Sequence, residues 1–272
     1  MVKIPGYQGL FPSVKDFDHA AIFTGCERAW DALAKIEGYI SGYISALEDT
    51  PIPEGLEIQS GHESYLFCSS PLRLERDFYS SSLKILIRSG TRIETTAIIK
   101  GPAIIGKNCD IRQGAYLRGY LIAGDTCTLG HTTEIKGSII MNHSEMGHFN
   151  YIGDSVIGSF VNIGAGTKLA NLKFRSPSEK ENVNFPEISF VAKDPENGKS
   201  EIVMTGLSKF GAVLGDYCEL GCNSVLSPAV ILGTECWVYP NFTVPSGYYD
   251  AKSFIAPATL KAKTRPLPHS SR

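Results

Sequence analysis

The chain has 272 residues, with 26 lysines and arginines against 28 aspartates and glutamates, and a formal net charge of −2. That balance, with no basic cluster outside residues 253–272, argues against nucleic acid or an anionic membrane surface as the main partner. Seven cysteines is an odd number, no apolar signal-like stretch opens the sequence, and no run reaches membrane-spanning length. The expectation is therefore a reduced, soluble, cytoplasmic chain without a membrane role.

Residues 27–48 place Trp30, Leu33, Ile36, Ile40, Ile44 and Leu47 at helical spacing, ahead of a break at Pro51 and Pro53. The spacing predicts a small helical segment within a mixed region 1–82, which would cap the element that follows. Residues 54–90 give no assignment of their own.

From Ile93 onward a six-residue period dominates. Ile93, Ile99, Ile105, Ile111, Leu117, Ala123, Leu129 and Ile135 fall on one phase, and Leu214, Leu220, Leu226, Leu232, Val238 and Val244 resume it. Neither a helix nor a single strand has that period, whereas a solenoid of short strands meeting at corners does, because each face turns one aliphatic inward. A helix over 93–140 is further excluded by glycines at 101, 106, 114, 119, 124 and 130 and by Pro102. Four residues after each aliphatic the side chain is usually small, as at Ala97, Ala103, Cys109, Ala115, Cys127, Cys218, Ser224 and Cys236, which suits a narrow interior. Three hexads make one coil, so residues eighteen apart stack at ~4.8 Å. Cys109 and Cys127, and again Cys218 and Cys236, meet that condition and read as core thiols. The solenoid is expected over 83–250, and residues 251–272 read as a tail.

Two interruptions break the period. Ile135 to Ile157 spans one coil of eighteen plus four residues, and the segment Met141 to Tyr151 inside it carries two of the six histidines. The second runs over about 171–209, too long for a corner, and reads as an excursion or a lid over a site.

The stretch from His148 through Asp154, with Val161 through Thr167 and Asn171, resembles the acetyltransferase domain of bifunctional sugar-1-phosphate nucleotidylyltransferase/acetyltransferases. The resemblance covers about 83–250 and implies an all-β solenoid, a left-handed parallel β-helix assembled as a homotrimer. It implies acetyl transfer from acetyl-CoA to the amine of an amino-sugar 1-phosphate, with no metal required. In that pattern His148 matches the general base, and Ala165 the residue whose backbone N–H faces the reacting carbonyl. Tyr151, Asn162, Asn171 and Lys209 match substrate contacts, and Arg118 and Lys136 the phosphate-binding pair. Cys222 stands at a coenzyme-contacting serine and Pro240 at a later alanine contact. The family's coenzyme-binding arginine has no clear counterpart; Lys261 and Lys263 are candidates. The large nucleotidylyltransferase domain that usually precedes this β-helix does not fit in residues 1–82, so uridylyl or thymidylyl transfer is not expected of this chain.

The same residues make chemical sense unaided. Arg118 and Lys136 are eighteen apart, so they leave the same edge of neighbouring coils, where a phosphate between them would relieve their repulsion. An imidazole, with its ordinary pKa near ~6.5, can accept a proton near neutral pH. Gly164 and Gly166 let backbone approach a ligand closely. Two rivals remain: a non-catalytic β-helix subunit that binds a sugar nucleotide or a partner, and a γ-carbonic-anhydrase-like zinc enzyme prompted by His143 and His148. The second lacks a histidine two coils upstream, near Lys107.

Overall fold

In the computed structural model, residues 4–193 and 200–259 are described. Three nine-stranded sheets form the faces of a three-sided coil, a left-handed parallel β-helix. The chain passes Ile98–Ile99 on the first face, Ala103–Ile105 on the second and Asp110–Ile111 on the third. It then returns to the first face at Tyr116–Leu117, in parallel register with Ile98–Ile99. The strands are this short because each face needs one inward aliphatic before the next corner. Ile93, Ile99, Ile105, Ile111 and Leu117 are all buried in one core with the small residues Ala97, Ala103, Cys109, Ala115 and Cys127. The corner between the second and third faces repeats a left-handed residue, with φ of 58° at Thr126, 60° at His143, 59° at Phe160 and 62° at Tyr217. Isolated left-handed residues are uncommon outside glycine, and here each is held by the parallel ladder on either side.

The first interruption is not a four-residue insert. Ile135 pairs with Ile152 and Ile140 with Ile157, so two successive coils have seventeen residues. The missing residue is lost each time at the corner between the first and second faces, turned by Gly137 with φ 56° and Asp154 with φ 48°. Ile140, Met146 and Ile152 are therefore core residues that a fixed six-residue phase passes over.

Residues 56–80, which carried no assignment, close the first edge of the coil. Tyr65–Cys68, Leu72–Arg73 and Phe78–Ser80 each pair antiparallel with the outermost strand of one face, so all three edges are covered. The helical segment lies elsewhere. Helices Tyr7–Leu10 and Ile36–Ile44 and three 3-10 turns between them pack along the outside of the second face, not on an end. The outward residues of that face, Leu86, Ile104, Ile122, Ile139, Val156, Val213 and Ile231, are apolar and buried against Phe11, Phe23, Trp30, Ile36 and Ile40. The first and third faces have outward residues that are half-buried or exposed.

The second interruption is an excursion that keeps register: Lys168 pairs with Val225, fifty-seven residues on. It contains a helix at Pro177–Glu181 and an antiparallel pair, Ser189–Lys193 with Ser200–Met204. Ile188, Phe190, Ala192, Val203 and Phe210 complete the outer layer on the second face. Trp30 joins the two parts, its indole N–H donating to the Thr205 carbonyl at 3.2 Å and its ring 5.5 Å from Phe210.

Asp216 pins the helical layer to a corner of the coil. Its buried carboxylate accepts from the Ser13 amide at 2.7 Å and the Ser159 amide at 2.8 Å, and burial raises its pKa above the usual carboxylate value. Asp216→Ala leaves both amides without their acceptor and is expected to cost about 2–4 kcal/mol. The check is a lower urea midpoint at unchanged slope, and an unaltered midpoint would remove this role.

Candidate active site

Where the third face runs into the corner before the first, successive coils repeat one contact. The carbonyls of His131, His148, Ala165 and Cys222 accept from the amides of Phe149, Gly166, Asn223 and Asn241 at 2.7, 3.0, 2.8 and 2.8 Å. Those four residues, with Pro240 one coil beyond Cys222, thus form a single column at about 4.8 Å per step. Beside the column Gly130, Gly147, Gly164 and Gly221 occupy the preceding position of four coils. A Cβ on Gly130 would lie 2.1 Å from the Gly147 carbonyl carbon, and one on Gly164 2.5 Å from the Leu220 carbonyl oxygen. At Gly130, Gly164 and Gly221 a Cβ would run into the backbone of the next coil, whereas at Gly147 it would meet only the end of the Arg112 side chain; the four glycines leave a strip without side chains beside an exposed His148 and an exposed Cys222.

Around the corner, on the first face, lies a polar cluster. The Tyr151 hydroxyl donates to Asn171 Oδ1 at 3.3 Å, the Asn171 amide donates to Asp154, and Lys136 Nζ is 2.7 Å from Asp154 Oδ2. Arg118 Nη1 is 2.6 Å from Glu134 Oε1. Burial, reinforced by the charges of Asp154 and Glu134, raises the Tyr151 pKa, so the phenol is a donor at neutral pH. The two cations are not held against each other without relief: each has a carboxylate of its own. An incoming phosphate would exchange with those carboxylates, a smaller gain than bare repulsion implies.

The remaining expected residues fall less tightly. Asn162 lies on the third face, three residues before Ala165, and donates to Glu219 at 2.8 Å. Lys209 is next to Phe210, whose amide donates to the Asn171 carbonyl, yet its ammonium goes to the Phe185 ring at 5.5 Å, where Arg175 also stacks. Lys261 and Lys263 lie outside the described residues. His143 sits at the opposite end of the strand from His148, stacked on Phe160 at 4.6 Å between centroids. Among the described residues no group of three His, Cys, Asp or Glu side chains could hold a metal ion. His131, Glu134 and Asp154 were not expected. His131 pairs with His148 and Glu134 with Tyr151, both at the seventeen-residue offset that only the shortened coils produce. The His131 ring is set by an Nδ1 contact with the Gln113 carbonyl at 2.9 Å.

A hexapeptide-repeat β-helix carrying a histidine column beside a cation–carboxylate cluster is the class this chain represents. The profile of the family described as "GMPPB C-terminal domain" matches residues 99–248, more than half of the chain, and the chain belongs to that family. It is also similar to a bifunctional sugar-1-phosphate nucleotidylyltransferase/acetyltransferase of Sulfurisphaera tokodaii, 35% identical over 170 residues, covering 56% of this chain and 39% of that protein. The bifunctional protein GlmU of Methanocaldococcus jannaschii is 31% identical over 124 residues, covering 46% of this chain and 26% of its own length. That of a Picosynechococcus species is 27% identical over 174 residues, covering 58% and 32%. The chain therefore spans well under half the length of these relatives. A solved structure of the polysialic acid O-acetyltransferase OatWY aligns over 69% of this chain and 90% of its own at 16% identity. Its TM-score of 0.27 carries no argument.

Proposed function

We propose that the chain is an acyltransferase that moves an acetyl group from acetyl-CoA to the amine of an amino-sugar 1-phosphate. The observation that carries this is the column of His148, Ala165, Cys222 and Pro240 standing one corner away from Tyr151, Asn171, Arg118 and Lys136. A thioester laid along the glycine strip would place its carbonyl beside the Ala165 amide. The acceptor's phosphate would replace Glu134 and Asp154 as partner of Arg118 and Lys136. As the amine forms its bond to the carbonyl carbon, His148 takes the proton; the carbon–sulfur bond then breaks and the proton passes to the departing sulfur. Residues 83–250 are the working unit on this reading, with 1–82 as its support. The assembly is a cytoplasmic homotrimer, and the chain itself transfers no nucleotidyl group.

The test is thiol release from acetyl-CoA with a panel of amino-sugar phosphates and the unphosphorylated sugars as controls. Binding without thiol release for every acceptor would leave a non-catalytic subunit instead. Arg118→Ala is expected to raise the KM for the sugar phosphate about 10- to 100-fold, the worth of one charge-assisted contact, with little change in KM for acetyl-CoA. Equal use of phosphorylated and unphosphorylated acceptor by the parent protein would contradict the phosphate site.

A further inference from the structure

The glycine strip is bounded at one end by Arg112. Its amide donates to the Leu129 carbonyl at 2.9 Å, so it stands in register with Gly130, one coil before it and two before Gly147. The side chain lies along the strip. Nε donates to Asp110 Oδ2 at 2.9 Å, while the other Asp110 oxygen accepts from Arg92 Nε at 2.9 Å. Nη1 is 3.1 Å from the position a Gly147 Cβ would take, and apart from the flanking residues no other heavy atom comes within 4 Å of that position. Asp110 thus takes only the Nε. Among the described residues neither Nη1 nor Nη2 has a hydrogen-bonding or ion-pair partner, and the nearby Glu94 is engaged by Arg92 and by the Gln113 amide. A guanidinium fixed through Nε still offers two Nη donors, the fork that holds both oxygens of a carboxylate.

The strip is also longer than an acetyl group requires. On the proposed function the thioester carbonyl lies beside the Ala165 amide and the coenzyme leaves past Cys222 and Pro240, so the acyl group points the other way, over Gly147 toward Gly130. Two coils, about 10 Å, lie on that side. An acetyl methyl reaches one carbon–carbon bond into them, about 1.5 Å. A four-carbon acyl chain puts its far carbon about 4 Å from the carbonyl carbon. That is close to the ~4.8 Å step from the coil of Ala165 to the coil of Gly147, over which Arg112 Nη1 stands. We propose that Arg112 makes the Gly147 end of the strip a carboxylate subsite, and that the preferred acyl donor is the coenzyme thioester of a four-carbon dicarboxylic acid. This rests on the proposed function for the direction in which the thioester lies. The reaction is otherwise the one already described. The acceptor nitrogen bonds to the carbonyl carbon, the carbon–sulfur bond breaks, the proton goes to the sulfur, and the product amide keeps the distal carboxylate.

Thiol release should be compared for acetyl-CoA, butyryl-CoA and succinyl-CoA at a fixed amino-sugar 1-phosphate, with the parent protein and with Arg112→Gln. Butyryl has the same four carbons as succinyl and no carboxylate, so the pair isolates the charge from the length. In the parent kcat/KM should be highest for succinyl-CoA and exceed that for butyryl-CoA about 10- to 100-fold, the worth of one charge-assisted contact. In Arg112→Gln that ratio should fall to near one. Both donors are measured on the same preparation, so any loss of folded variant cancels in the ratio. A parent protein that uses succinyl-CoA no better than acetyl- or butyryl-CoA, or a preference that survives Arg112→Gln, would overturn the subsite, while thiol release from acetyl-CoA would leave the acyl-transfer reading standing. No thiol release from any of the three donors would overturn both.

Discussion

His148→Ala is expected to lower kcat for acetyl transfer by about 10²–10⁴-fold, the usual worth of a positioned acid–base group. The amine of an amino sugar is largely protonated near neutral pH, and the neutral form that attacks must shed a proton as the new bond forms. On the proposed reading His148 takes that proton; it stands at the end of its strand, with its side chain exposed beside the glycine strip and its amide donating to Asn150 Oδ1 at 3.2 Å. Because the side chain is exposed, melting and assembly should change little. His143→Ala removes a stack on Phe160 and no contact with the column, so its effect should be confined to stability, about 0.5–1.5 kcal/mol. Equal losses of kcat from both substitutions would remove His148 from the proton-transfer role.

Acidification should loosen the helical layer through His19. This residue is 3% exposed, its Nδ1 lies 3.1 Å from the Tyr39 hydroxyl, and the rings of Phe17, Tyr39 and Tyr43 surround it. Burial, helped by Arg88, lowers its pKa from 6.5 to about 4, against the opposing pull of Asp18 and Asp125. Above the unfolded value both states are neutral at this site and it contributes no pH dependence. Between that value and about 4 the unfolded chain binds a proton that the folded chain refuses, so stability falls with pH, by about 3 kcal/mol in all. Asp216, with a raised pKa, acts in the opposite sense and gains stability on protonation as pH falls. The comparison is therefore between the parent and His19→Phe, by urea denaturation at pH 7 and pH 4.5. The parent should lose more than the variant by most of that difference, and parallel losses would sink the assignment.

The coil was legible because its core imposes one aliphatic per face, and the small residues at Ala97, Cys109 and Cys218 repeat the constraint at the corners. The shortened coils were not, because a fixed phase cannot register a corner turned by Gly137 or Asp154 with one residue fewer. That same offset hid His131 and Glu134, which stack on His148 and Tyr151 at seventeen residues rather than eighteen. The covered face left only a partial trace. Its strands carry two apolar residues in succession, as at Ile104 and Ile105, Ile139 and Ile140, or Ile231 and Leu232, but Ile98 and Ile99 on the first face and Trp237 and Val238 on the third do the same, so only polar outward residues such as Glu134 and Asn162 mark those faces as open. The ion pairs of Arg118 and Lys136 could not have been foreseen, since the choice between a carboxylate of the same chain and a ligand's phosphate is made by side-chain packing and not by spacing.

The excursion between Ala170 and Gly211 divides the coil into two stacks of different history. Within each stack, partners are seventeen or eighteen residues apart and can zip together locally. At the single junction they are fifty-seven apart, which adds about 1 kcal/mol of loop-closure entropy to that one step. Left alone, a solenoid with such a seam would behave as two short springs laid end to end, each free to fray at the join. The helical layer removes that freedom. Trp30 grips Phe190 and Phe210 from the excursion, and the same layer rests on Ile122, Ile139 and Val156 before the seam and on Val213 and Ile231 after it. The N-terminal segment is thus a splint across a break in the spring, coupling the melting of its two halves.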